Sequence, residues 1–170
     1  MIQGFGPIAT RDARVLILGT VPSAASLAKG QYFGNARNAF WPIMETLLGA
    51  GPGLTYERRV ALVEGAGLAV WDVLAGAERP GSLDSSIVPG TEVVNDFPAF
   101  LAAQPRIGSV FFNGAKAEAL FRRFALPMLQ QACAELRLQR LPSTSPANAA
   151  LSQEAKLRAW RAVADALGTG

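Results

Sequence analysis

The chain has 170 residues, half of them hydrophobic and 17% charged, with a formal net charge of +3. This is the composition of one compact domain with a sizeable core, not of a disordered chain. With no histidine and a single cysteine, Cys133, it excludes Ser-His-Asp and Cys-His catalysis, histidine metal sites, an internal disulfide, Cys-based zinc sites and iron–sulfur clusters.

Chemistry must therefore run on carboxylates, amides, hydroxyls, backbone groups, Arg or Lys, and no cofactor or metal is expected. Cys133 lies between Ala132 and Ala134 and reads as a buried structural thiol. No apolar run approaches the roughly 18 residues that span a bilayer. The start, Met1 to Leu18, lacks the basic, apolar and small-residue succession of an export signal. The expectation is an unprocessed, cytoplasmic, monomeric protein of one domain over residues 1–170. Arginine supplies most of the positive charge, which permits phosphate contact without requiring it.

In chain order, Val15-Leu16-Ile17-Leu18 is a short apolar run ending at Gly19, the pattern of a buried parallel strand. Phe40 to Leu48 reads as a helix with Pro42 near its start and Gly49 after its end. Thr55 caps a helix running to Glu64 and closed by Gly65. Leu68-Ala69-Val70-Trp71 is a second strand. Asp96 caps a helix over Phe97 to Ala103, and Ser109-Val110-Phe111-Phe112 is a third strand. Ala115 to Phe124 carries Leu120, Phe121 and Phe124 at helical spacing. Leu136 to Leu141 alternates apolar and polar residues, as an edge strand does, and Ser152 caps a last helix whose apolar face is Leu157, Trp160, Ala164 and Leu167.

This alternation predicts an α/β fold, a three-layer αβα sandwich around a central, mostly parallel four-stranded sheet. Ligands of such sheets bind beyond the carboxyl ends of the strands. That selects Gly19 to Ser23, Asp72 to Ser86, Asn113-Gly114 and Pro142 to Asn148, together with the loop Gln31 to Trp41.

Each segment has two readings. Ser23 can cap a helix whose first amides suit an anion, or the turn is only a turn. The loop carrying Tyr32, Phe33, Asn35, Arg37 and Asn38 offers stacking, hydrogen-bonding and phosphate-binding groups; alternatively its aromatics plug the core and Asn38 caps the next helix. The Asn113 carboxamide can pair with a lactam edge, which uracil and hypoxanthine present and adenine and cytosine do not; it can equally be a helix cap. Ser143, Thr144, Ser145 and Asn148 are phosphate ligands or an ordinary turn. Asp72 is a site wall or a cap, and Asp84 sits in a turn.

Taken together, Gly19-Thr20-Val21-Pro22-Ser23, Arg37-Asn38-Ala39-Phe40-Trp41, Trp71-Asp72-Val73, Gly81-Ser82-Leu83-Asp84-Ser85, Phe112-Asn113-Gly114 and Ser143-Thr144-Ser145-Pro146-Ala147-Asn148 resemble the uracil-DNA glycosylase superfamily. Within it they are most similar to the hypoxanthine-DNA glycosylase branch, from about Val15 to Trp160.

The resemblance implies a monofunctional glycosylase acting on DNA that contains a deaminated base. It implies that Asn38 and Asn113 are catalytic. It places Gly19, Thr20, Pro22, Phe33, Asp72, Ser143, Ser145 and Asn148 at the substrate, with Phe33 stacking on the extruded base. Many relatives carry a water-positioning carboxylate or amide in the first motif, where this chain has Thr20 and Val21, and many uracil enzymes carry a histidine in the last motif, where this chain has none. The competing expectations are uracil or xanthine excision, and a nucleic-acid-binding relative without chemistry. An unrelated α/β hydrolase is disfavoured by the missing histidine and the missing Gly-x-Ser-x-Gly turn.

Overall fold

The structure is a computed structural model that describes residues 1–129 and 135–168; Cys133 lies outside the described residues. Four strands form a parallel sheet: β2 (Val15–Gly19), β3 (Leu68–Asp72), β6 (Ser109–Asn113) and β7 (Arg137–Leu141), in spatial order β3-β2-β6-β7. The register pairs Leu18 with both Trp71 and Phe112, and Gly19 with Asp72. β2 and β3 are buried at every position, which is why both read as unbroken apolar runs. β7 is an edge strand, and its polar residues Arg137, Gln139 and Arg140 are exposed.

Side chains alternate between the two faces of the sheet. On one face Trp71 and Phe112 meet Phe97 of α4 (Phe97–Ala103) and Phe121, an aromatic cluster with centroid spacings of 5.2–5.3 Å. On the other, α7 (Gln153–Leu167) lies against β2 and against α2 (Phe40–Leu48), with Trp160 edge-on to Phe40. The caps expected at Thr55, Asp96 and Ser152 all form, each side chain accepting from the amide three residues on.

Three details differ from the pattern read in the sequence. A second, antiparallel sheet joins β1 (Ile2–Gln3), β4 (Leu74–Ala77) and β5 (Val93–Val94). With the two bonds exchanged by Ile8 and Val70, the N-terminal segment covers the outer edge of β3. Helix α3 (Tyr56–Gly65) runs through Gly65 rather than stopping before it, and the left-handed residue that ends it is Gly67, at φ +84°. The helix expected over Ala115 to Phe124 is α5 (Ala115–Leu120) followed by a π turn, Phe121–Ala125, and α6 (Leu126–Leu129). Pro127 accounts for the wider turn: it has no amide to donate, and its ring crowds the carbonyl one turn earlier. The remaining helix, α1, spans Ala24–Lys29.

Where β6 meets α5, Gly114 takes φ +97°, ψ 168° and donates its amide to Phe112 and to Leu141. A Cβ there would stand 3.0 Å from the Ser143 Cβ. The Gly114→Ala variant is therefore strained in backbone and in space. Urea unfolding is expected to show a loss of about 1–3 kcal/mol; a loss below a few tenths would contradict this geometry.

Candidate active site

The carboxyl ends of β2, β3 and β6 and the segment after β7 open onto one cavity of about 680 Å³. Its volume is in the range of small-ligand sites. Gly19, Thr20, Pro22 and Asp72 line one side, and Phe33 and Asn38 another. Asn113, Ser143, Ser145 and Asn148 complete the wall, so all ten residues singled out in the sequence border the same space.

The hydrogen bonds refine what each of them can do. Thr144, 1% exposed, joins three segments. Its amide donates to Asn113 Oδ1 at 2.9 Å, its Oγ1 accepts from Asn113 Nδ2 at 2.9 Å, and its carbonyl accepts from the Ala39 amide at 2.9 Å. Asn113 is therefore first a brace between β6 and the loop after β7. One Nδ2 hydrogen and one Oδ1 lone pair are left over for a ligand. Asn38 is held differently: its Oδ1 accepts from the Phe40 amide at 2.9 Å. Asn38 is not the helix cap, since the N-cap of α2 is Ala39 and carries no side-chain capping bond; the bond to the Phe40 amide instead orients the carboxamide and leaves its Nδ2 as a donor at the cavity wall.

Phe33 is the one non-glycine residue with positive φ among the described residues, at +54°. Its ring stacks on Phe40 with centroids 3.9 Å apart and 24° between planes. The strained backbone aims a half-buried ring at the cavity, backed by a fully buried one. Neighbouring Tyr32 faces inward instead, its hydroxyl donating to Gly6 O at 2.8 Å.

The first turn is braced by its neighbours. The Thr20 hydroxyl donates to Asp84 Oδ2 at 2.9 Å, and Pro22 O accepts from Arg79 Nη2 at 2.7 Å. Ser23 caps α1, and two of the first amides already have protein partners, as a plain turn would: the Ala24 amide donates to Ser82 Oγ and the Ser26 amide to Ser23 Oγ. In the last loop, Ser143 Oγ accepts from the Ser145 amide, Ser145 Oγ from the Ala147 amide, and Asn148 Nδ2 donates to Ser143 O. Each of these serine hydroxyls keeps its O–H hydrogen free to donate.

Sequence reasoning missed Arg79. Its side chain is 1% exposed, it donates to Gly81 O and Pro22 O, and it lies 3.9 Å from Asp84 Oδ1. Nothing in its local sequence marks a buried cation. Reasoning also missed Thr144 as the joint of the site and Lys116 in the lining. Among the described residues no group of three or more His, Cys, Asp or Glu side chains assembles a metal site, and no helix is long and apolar enough to cross a membrane.

The electrostatic centre of the cavity is Asp72. It is 4% exposed, and its Oδ2 is buried without a hydrogen-bond partner. Its Oδ1 lies over Gly19, where a Cβ would approach to 2.5 Å, so only glycine leaves room for this carboxyl. Burial, reinforced by the charge of Asp84 and opposed by Arg79, pushes Asp72 from its ordinary 3.8 up to about 7. Burial likewise raises Asp84, against the lowering effect of the Thr20 hydrogen bond, Arg79 and Lys116.

A carboxyl whose pKa is higher in the folded protein than in the unfolded chain holds its proton longer when folded. Stability therefore falls as pH rises from about 4 through 7, and the penalty is complete above 7. The Asp72→Asn variant removes that penalty. It is expected to be more stable than wild type at pH 8, on the order of 2–4 kcal/mol, with the gain shrinking toward pH 4. Thermal unfolding across this range measures it, and a loss of stability at pH 8 would contradict an unpartnered buried carboxylate.

Residues 5–164 match the family profile described as uracil DNA glycosylase superfamily. The chain is 33% identical over 162 residues to the hypoxanthine DNA glycosylase of Methanosarcina acetivorans, covering 95% of this chain and 96% of that one. It is 31% identical over 116 residues to the hypoxanthine DNA glycosylase of Methanosarcina barkeri, covering 68% and 72%. A solution NMR structure from Methanosarcina acetivorans, described as a candidate uracil DNA glycosylase, superposes with a TM-score of 0.79 at 30% identity over 98% of each chain. The chain belongs to the uracil DNA glycosylase superfamily.

Proposed function

We propose that this protein is a DNA glycosylase that hydrolyses the N-glycosidic bond of an extruded deaminated base, with hypoxanthine as its substrate. The observation that carries the reading is the convergence of Phe33, Asn38 and Asn113 on one cavity at the carboxyl ends of the sheet. The two Methanosarcina relatives named for hypoxanthine favour that base over uracil or xanthine.

The chemistry follows from the geometry. A base inside a duplex cannot reach an enclosed site, so the nucleotide must swing out, and a poorly paired deaminated base costs least to extrude. Phe33 supplies a flat apolar surface for the ring, kept rigid by Phe40. The remaining donor and acceptor of Asn113 match the adjacent N–H and carbonyl of the hypoxanthine lactam edge. As the C1′–N9 bond lengthens, negative charge gathers on the base. The Asn38 Nδ2 donor, already oriented by the Phe40 amide, stabilises it without reorganising. Arg37 and Lys116 at the lining, with the hydroxyls of Ser143 and Ser145, suit the flanking phosphates. The reading is of a monofunctional enzyme working as a monomer in the cytoplasm, without metal or other cofactor.

Duplexes carrying hypoxanthine, uracil or xanthine, scored for alkali-labile abasic sites, test the proposal. Hypoxanthine is expected to be released fastest. The Asn38→Ala and Asn113→Ala variants should each lose about 10²-fold or more in single-turnover rate. Lesion binding without release of any base would instead identify a DNA-binding relative without chemistry. Full rates in both variants would refute the site assignment.

A further inference from the structure

Hydrolysis needs a water molecule and a group to take its proton. The amides of Asn38 and Asn113 cannot accept one, and the chain has no histidine. The ionisable residues at the cavity lining are Tyr32, Arg37, Asp72, Asp84 and Lys116. Tyr32 is spent on Gly6 O, and burial keeps its hydroxyl protonated. Arg37 and Lys116 are cations. Asp84 has one oxygen taken by Thr20 and the other turned toward Arg79. Asp72 alone has a buried oxygen with nothing to bind. That oxygen lies out of reach of solvent, so the carboxyl meets the cavity, and any water in it, through Oδ1 beside Gly19.

Its position is set by the sheet. Asp72 ends β3 directly beside Gly19, the last residue of β2. Its backbone is fixed as well, since Asp72 O accepts from Asn95 Nδ2 at 2.8 Å. The missing side chain at Gly19 lets the carboxyl lean across the strand end and border the cavity.

We infer that Asp72 is the general base of the reaction, holding the water that attacks C1′ and accepting its proton. This rests on the glycosylase reading above. The C1′–N9 bond breaks with its electron pair leaving on the base, and the water oxygen bonds to C1′. One water proton passes to the Asp72 carboxylate and from there to the departing base, which leaves neutral. Asp84, Arg79 and Tyr32 are the charged or titratable groups whose fields reach Asp72, and Lys116 acts on Asp84. Asp84 therefore tunes the base from beside it and is a positioning residue, anchored by Thr20.

The test is a pH profile of single-turnover release of hypoxanthine from a duplex, for wild type and for Asp72→Asn and Asp84→Asn. The wild-type rate is expected to rise with pH and level off above about 7. The Asp72→Asn variant should lose about 10²-fold or more at the plateau and lose the rising limb, while thermal unfolding shows it folded. The Asp84→Asn variant removes a like charge, so its limb should move to lower pH. An Asp72→Asn variant that keeps rate and limb overturns the assignment. So does an Asp84→Asn limb that stays in place, or a wild-type rate that falls through neutrality, which would make Asp72 an acid. In those three cases the glycosylase reading stands. A wild-type protein that releases no base at any pH overturns both.

Discussion

The site depends on the pair of hydrogen bonds between Asn113 and Thr144. β6 ends at Asn113 and β7 at Leu141, where the two strands are still paired; the loop from Pro142 then leaves the sheet, and Thr144 within it is bonded back to Asn113. The two bonds lock the carboxamide to the amide and the hydroxyl of one residue, and the Thr144 carbonyl accepts from the Ala39 amide. The aromatic loop, the third parallel strand and the last loop are thereby held to one another through a residue that is itself out of water. Such a buried network is costly if broken, because each freed donor or acceptor would be left unsatisfied.

A second constraint acts across the cavity. Gly19 has no side chain, so Asp72 fills the space above it; Asp84 is drawn in by Thr20, and Arg79 clamps Pro22 and Gly81. The first turn thus has a carboxyl group held on either side of it while its own residues border the cavity. Asp72, at the end of β3, thereby reaches across the end of β2 where Gly19 leaves room.

Much of the fold was legible in the sequence, because burial on both faces leaves an unmistakable mark. Val15 to Leu18 and Leu68 to Trp71 have no polar residue to confuse the reading, and the alternation from Leu136 to Leu141 located the sheet edge. The small sheet was not legible, since Ile2–Gln3 and Val93–Val94 are too short to carry a period. The π turn was hidden because Leu120, Phe121 and Phe124 fit an ordinary helix, and only Pro127 hinted otherwise. At the site, residue types pointed to the right segments, but not to who binds whom. Asn113 as a brace, Arg79 as a buried clamp and Asp72 as an unpartnered carboxyl are all consequences of long-range contacts, which no local pattern records.

In the proposed complex an extruded base occupies the space between Phe33 and the two carboxamides. A crystal structure of the protein with a duplex containing 2′-fluoro-deoxyinosine, whose glycosidic bond resists cleavage, is the decisive measurement. The hypoxanthine ring is expected to lie on Phe33, with its lactam edge at Asn113 and Asp72 on the sugar side. A lesion still stacked within the duplex, or a cavity left empty while DNA binds another face, would contradict it.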